Sequence, residues 1–250
     1  MDQNHDGMEM KNNGVRDLSV YEHACLEGKR RLLRWVITNI GFRFLTRLER
    51  VEGLENFPKT GPAIIIYNHI ATLDSGMIMG ILPRNVIPMA KIEAYNLPIM
   101  GGLIKMWEVI PVRRGSVDRS AIKLSLAVLA AGEVLLISPE GTRYAAMQKA
   151  KDGVAYLATR TNVPIIPAAI SGTEGYPSVN PARWAQGGAC IKFGRPFFFR
   201  RNEERPRKKL LSRMTEEMMF YLASLLPQHL RGYYSNYADQ KLDLLDFSNP

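Results

Sequence analysis

His69 and Asp74 stand five positions apart in YNHIATLD (residues 67–74), directly after the apolar run AIIIY. A neutral imidazole nitrogen can take the proton of a substrate hydroxyl, and a carboxylate on the other ring N–H fixes the tautomer and stabilises the imidazolium that forms. A histidine between a strand and a helix also sits where open α/β sheets present ligands, at strand carboxyl ends. His69 is therefore a candidate general base and Asp74 its orienting acid. The competing reading is a polar residue closing a buried strand, followed by an acid that serves only the dipole of the next helix.

A second constellation, ISPEGTR (residues 137–143), ends another apolar run. It offers the Glu140 carboxylate, a turn at Gly141 that frees backbone N–H groups, the Thr142 hydroxyl and the Arg143 guanidinium. Arg143 suits bidentate capture of a phosphate. A third run, EVIPVRRG (residues 108–115), closes on the paired cations Arg113 and Arg114. Alone, the pair also fits a solvated basic turn, and Glu140 fits a structural partner of a nearby Arg.

These residues need a scaffold that gathers strand ends. Apolar runs at 63–67, 86–90, 108–112, 133–137 and 164–170 read as buried strands, and helical patterns at 74–82, 96–106, 118–131 and 151–161 lie between them. The alternation predicts a single layered α/β domain with a largely parallel central sheet flanked by helices. ACIKFGRPFFF reads as a further strand ending at Gly194-Arg195-Pro196, and residues 206–230 as an amphipathic helix covering the core.

Ahead of that domain, residues 30–51 place Leu33, Val36, Ile37, Ile40, Phe44, Leu48 and Val51 at helical spacing, with Arg30, Arg31, Arg34, Arg43 and Arg50 at or beyond the border of the stripe. Arg47 falls near the stripe, where a long stem can cover apolar surface. Such a helix, carrying Trp35, Phe42 and Phe44, suits the headgroup layer of a membrane; packing on the protein's own core is the alternative. The expected organisation is a polar tail at 1–17, an amphipathic helical segment at 18–50 and the catalytic domain at 51–250.

Lys and Arg exceed Asp and Glu by 33 to 24, giving +9 and favouring anionic partners without choosing among them. Cys25 and Cys190 lack zinc or disulfide spacing, as in a reducing compartment. The polar start MDQNHDGMEMKNNG lacks the pattern of a signal peptide, and no run approaches the roughly 20 apolar residues of a spanning helix. If the chain meets a membrane, it lies on the surface, on the cytoplasmic face.

The ordered blocks NHIATLD, VIPVRRG, SPEGTR and VPIIPAAI, with KIEAYNLPIMG and KDGVAYLA between them, resemble the glycerolipid acyltransferases of the lysophosphatidic acid acyltransferase type over roughly residues 51–196. The resemblance implies that His69, oriented by Asp74, deprotonates a lipid hydroxyl that attacks an acyl thioester. It implies acyl-CoA or acyl carrier protein as co-substrate, with no other cofactor, no metal and no covalent acyl-enzyme. It implies that Arg113 or Arg114, Arg143 and Lys91 bind the acceptor phosphate, and that Glu140 and Gly141 shape the acceptor site. The expected partners are an anionic membrane surface, a lysophospholipid and the thioester donor. Ile70-Ala71, where the family commonly has Ser or Gln, and Tyr144, where Ser is frequent, loosen the assignment of the acceptor. Glycerol 3-phosphate, another lysophospholipid or a lyso-aminolipid are the alternatives.

Two readings of other classes fit less well. A hydrolase in which His69 activates water or a serine has Ser75 and Ser138 nearby in sequence, but it lacks a GxSxG elbow and leaves the arginines idle. A nucleic-acid module explains the charge but has no zinc, RNP or helix-turn-helix signature.

Overall fold

The computed structural model describes residues 26–115, 117–200 and 206–248. The expected tail at 1–17, the start of the amphipathic segment at 18–25 and Cys25 lie outside the described residues. In chain order the elements are α1 (Glu27–Val36), a π turn (Ile37–Gly41), α2 (Phe42–Phe44), β1 (Leu48–Glu52), β2 (Ala63–Tyr67), α3 (Asp74–Ile81) and β3 (Val86–Lys91). Beyond a 3-10 turn (Ile92–Asn96) come α4 (Met100–Trp107), β4 (Ile110–Val112), α5 (Arg119–Ala130), β5 (Val134–Ile137), α6 (Gly153–Thr161) and β6 (Ile165–Ser171). The chain continues through α7 (Pro181–Ala185), β7 (Ala189–Phe193), β8 (Phe198–Phe199), α8 (Lys208–Ser224) and β9 (Leu245–Asp246).

The sheet runs β1-β7-β6-β2-β5-β3-β4. β6, β2, β5, β3 and β4 are mutually parallel, whereas β7 is antiparallel to β6 and β1 parallel to β7. The carboxyl ends of the five parallel strands therefore share one edge.

All five residues of β2 are buried, because helices cover both faces of the sheet. Ile64 and Ile66 join Leu135, Ile165 and the inner faces of α5, α6 and α8 in one core. Ile65 and Tyr67 join Leu136, Ile166 and α3 in the other. Alternate residues of one β-branched run thus feed two cores.

Three expectations need correction. The helix predicted over 30–51 ends at Phe44, and Leu48–Glu52 is strand β1. The domain boundary expected at 50/51 consequently falls inside a strand that pairs with β7. Arg30, expected at the border of the stripe, is fully buried, with Nε donating to the Trp107 carbonyl at 3.0 Å. Beyond α1 the π turn moves the apolar stripe: its wider i→i+5 ring inserts about one residue and rotates the later residues by about 100°. Leu33 remains inward, but Ile40 and Phe44 swing outward beside Leu32 and Trp35, all exposed. Ile37 and Phe42 turn inward onto α3 at Gly80, where an added Cβ would lie 2.9 Å from Ile37 Cγ2 and 2.6 Å from Phe42 Cζ. The segment thus packs on the core with one face and bares another.

Smaller differences have local causes. α4 begins at Met100 rather than 96, because Pro98 disfavours helix at the residue before it. α8 stops at Ser224, ahead of Pro227, with a 3-10 turn at Gln228–Leu230. The later apolar run breaks at Gly194-Arg195-Pro196 as expected, yet Phe198–Phe199 resumes as β8, paired with β9.

Candidate active site

β2 and β5 are adjacent and parallel, with Ile66 opposite Ile137, so the loops that leave them emerge side by side. His69 leaves β2 and Glu140 to Arg143 leave β5. The two blocks, about 70 residues apart in sequence, become neighbours through one strand pairing.

Asp74 is the first residue of α3 and is fully buried. Its Oδ2 accepts from Ile70 N–H at 2.7 Å and Ala71 N–H at 2.8 Å, and lies 2.9 Å from His69 Nδ1. The carboxylate is therefore turned back over the loop onto the imidazole rather than spent on the helix end. With Nδ1–H donating to Asp74, Nε2 is the acceptor left for an external proton. The His69 side chain is 19% exposed, open enough to meet a substrate. Tyr67 packs edge-on against the ring, centroids 5.4 Å apart.

The β5 loop holds the His69 backbone. Tyr144 N–H donates to the His69 carbonyl at 3.0 Å. Glu140, buried, accepts from Gln148 N–H at 2.8 Å, and the His69 backbone N–H also bonds to its carboxylate. Burial pushes the Glu140 carboxyl up to about 7, against the opposing pull of those two N–H groups. Glu140 thus ties two loops by their backbones, not by the arginine partner considered from sequence. Gly141 takes φ +75°, and its N–H closes a turn on the Ser138 carbonyl at 3.0 Å, so that N–H is not free for a substrate as the sequence suggested. Thr142 is half-buried in the same turn. Exposed Arg143 donates through Nη1 to Thr72 Oγ1, beside the His69 loop.

Lys91, Arg113 and Arg114 form a second group. Lys91 ends β3 opposite Val112 of β4, and Arg113 and Arg114 come directly after that strand; Lys91 and Arg114 are exposed, as is Arg113. Arg113 N–H bonds to Asp118 Oδ2 at 2.7 Å, and Asp118 also caps α5, accepting from Ser120 and Ala121 N–H. β4 stands three strand spacings from β2, about 14 Å. The edge therefore carries His69, Asp74, Glu140, Gly141, Thr142 and Arg143 together, and a separate cationic rim farther along it.

Three contributors escaped the sequence reading. Asn68 is buried, its amide donating to and accepting from the Ile170 backbone at 2.8 Å each, so it extends the β2–β6 ladder by a side chain. Thr72 is the hydroxyl that Arg143 meets. Lys151 lays its side chain over Gly141, with Nζ 3.5 Å from where a Cβ would stand, while its N–H binds the Pro139 carbonyl at 3.0 Å. The available signals were an amide at the end of an all-apolar strand and a lysine just ahead of a helix. Ser75, a nucleophile in the hydrolase reading, is engaged at 2.6 Å with the Tyr67 hydroxyl, whose pKa burial raises above the ordinary phenol value despite that bond.

Residues 48–171 match the family model described as Acyltransferase. The chain is 29% identical over 170 residues to the 1-acyl-sn-glycerol-3-phosphate acyltransferase of Bacillus subtilis, covering 68% of this chain and 83% of that protein. It is 28% identical over 165 residues to 1-acyl-sn-glycerol-3-phosphate acyltransferase alpha of Mus musculus, covering 64% of this chain and 58% of the mouse protein. The crystal structure of the 1-acyl-sn-glycerophosphate (LPA) acyltransferase PlsC from Thermotoga maritima shares the fold, with TM-score 0.58 and 22% identity over 85% of this chain and 82% of that one. Those matched residues contain every candidate side chain placed at the carboxyl edge, and with them the chain belongs to the acyltransferase family, in its 1-acyl-sn-glycerol-3-phosphate acyltransferase type.

Proposed function

We propose that this acyltransferase moves a fatty acyl group from an acyl thioester, acyl-CoA or acyl carrier protein, to the free hydroxyl of a lysophospholipid. The acceptor is 1-acylglycerol 3-phosphate and the product phosphatidic acid. The observation that carries the reading is the 2.9 Å contact between His69 Nδ1 and Asp74 Oδ2 at the carboxyl edge, beside Arg143.

Nε2 of His69 takes the proton of the acceptor hydroxyl while that oxygen attacks the thioester carbonyl carbon. The buried Asp74 carboxylate stabilises the imidazolium. As the carbonyl reforms, the C–S bond breaks and the departing sulfur takes the proton from His69. General-base help of this kind is worth roughly 10²–10⁴-fold, and holding both substrates together supplies much of the remaining acceleration. Arg143 grips the acceptor phosphate, while Lys91, Arg113 and Arg114 form a rim for further anionic groups of acceptor or donor. Glu140 acts indirectly, by fixing the backbone that presents His69.

The acceptor hydroxyl comes from a bilayer. α1, with its arginines and bared apolar face, supports a peripheral position on an anionic membrane surface, at its cytoplasmic face; among the described residues no helix is long and apolar enough to cross one.

The test is thioester release from palmitoyl-CoA by purified protein, with and without lysophosphatidic acid, tracking the lipid product by mass. Release that depends on acceptor and yields phosphatidic acid is expected. Release that ignores the acceptor would overturn transfer in favour of hydrolysis, and release only with a different lysolipid would reassign the head group.

A further inference from the structure

The segment between β3 and α4 carries apolar side chains that the core does not use. Leu97 is 50% exposed, Ile99 86%, Leu103 40% and Met106 40%. Ile99 adopts φ 61°, ψ −59°, a costly conformation for a β-branched residue. An isoleucine in that conformation stands outward at an exposed tip. The base beneath it is fixed: Gly101 N–H bonds to the Leu97 carbonyl at 2.8 Å, Tyr95 donates its hydroxyl to the Val109 carbonyl, and buried Trp107 donates Nε1 to the Val86 carbonyl at 2.9 Å.

The tip has a neighbour of the same character. α1 packs on α4, and Arg30 Nε holds the Trp107 carbonyl at 3.0 Å. The π turn aligns Leu32, Trp35, Ile40 and Phe44 on the outer side of that helix. Both apolar sets reach the catalytic edge. The tip comes after Lys91, the carboxyl end of β3, while Leu45 precedes β1, which runs opposite to β2 and so begins at that edge.

Charge indicates what covers them. From Gly28 to Leu48 the chain has no carboxylate, but it carries Lys29, Arg31, Arg34, Arg43 and Arg47 outside the core. Lys105 adds an exposed cation on α4, against Glu93 and Glu108 at its two flanks. The apolar side chains of the N-terminal segment, collared by cations, complement an anionic bilayer, with its negative headgroups above acyl chains, and the tip, where lysines and glutamates balance, continues that surface.

Resting on the reading of this protein as a bilayer-surface enzyme, we propose that residues 97–106 form a second insertion element, a rigid wedge led by Ile99. Acting beside α1, it would seat the catalytic edge against the lipid so that the acceptor enters laterally from the membrane.

Insertion is read directly with Ile99→Trp and vesicles of phosphatidylglycerol and phosphatidylcholine carrying brominated acyl chains. In the vesicle-bound state we expect at least about twofold stronger fluorescence quenching than in the parent protein; equal quenching would overturn the wedge. Ile99→Asp combined with Leu103→Asp should weaken vesicle binding at least about tenfold and lower turnover of a vesicle-embedded acceptor equally, leaving turnover of a monomeric short-chain acceptor within about twofold. Unchanged vesicle binding and turnover in a variant with parental circular dichroism would overturn the proposal. Loss of self-association with vesicle binding intact would also overturn it, assigning the face to a second copy. Quenching needs no catalysis, so absence of acyl transfer to every acceptor would sink the functional reading while leaving the wedge to be judged on its own.

Discussion

A single oxygen, Asp74 Oδ2, receives two backbone N–H groups and faces the imidazole, so the pair and the loop that carries it share one acceptor. His69→Ala removes the base and should lower transfer at least about 100-fold with the circular dichroism spectrum retained; comparable activity in the folded variant would exclude general-base catalysis by His69. Arg143 is exposed and meets the Thr72 hydroxyl, so Arg143→Ala should raise the acceptor KM more than the donor KM; equal effects would argue against a phosphate grip. Glu140 carries a pH signature. Its folded pKa, about 7, lies above the ordinary 4.5, so between these values the folded protein keeps a proton that the unfolded chain has released. Stability from this group is thus lost as pH rises through that window, by up to ~1.4 kcal/mol per pH unit. Urea titrations at about pH 5 and about pH 8 should show Glu140→Gln gaining on the parent protein at the higher pH, and parallel curves would refute the assignment. The placement of His69, Asp74 and Arg143 at one sheet edge was legible because each follows the end of an apolar run. Asn68, Thr72 and Lys151 were not, because their meaning lies in partners about 70 to 100 residues away or across a turn.

At the scale of elements, the five parallel strands were legible, whereas the end of the first helix and strand β1 were not. Runs such as AIIIY are buried on both faces, and no helical period competes with them. In residues 30–51 the period was real, but the π turn shifts it, and Leu48 and Val51 fit both a continued helical stripe and the strand that forms. The β1–β7 pairing decides, and it is a long-range fact. Sheet direction was equally closed to local reading: β7 and β1 oppose the other five strands. The β2–β6 joint depends on Asn68, whose two 2.8 Å bonds replace a rung of the ladder in the core. Asn68→Ala orphans the N–H and carbonyl of Ile170 and should cost about 2–3 kcal/mol in urea unfolding. Asn68→Asp, which keeps an acceptor but loses the donor, should not restore stability. A loss below about 0.5 kcal/mol for Asn68→Ala would mean that the joint holds without the amide.

For the whole molecule, a charge of +9 gathered partly on the N-terminal helix predicts that association with anionic vesicles weakens with salt. Co-sedimentation at about 0.1 M and about 1 M NaCl should show the difference between anionic and neutral vesicles shrinking at the higher salt; salt-insensitive binding would leave the cations without a role. The architecture also sets an order of events. His69 is held by residues 140–144, and its neighbour Asn68 by Ile170, 102 residues downstream. A ribosome adding about 5–20 residues per second needs roughly 5–20 s to cover that distance. For that interval the nascent chain displays His69 and Asp74 without the strands that hold their loop in place. On the proposed mechanism, the motif is thus written early and its base is held in place only late in synthesis.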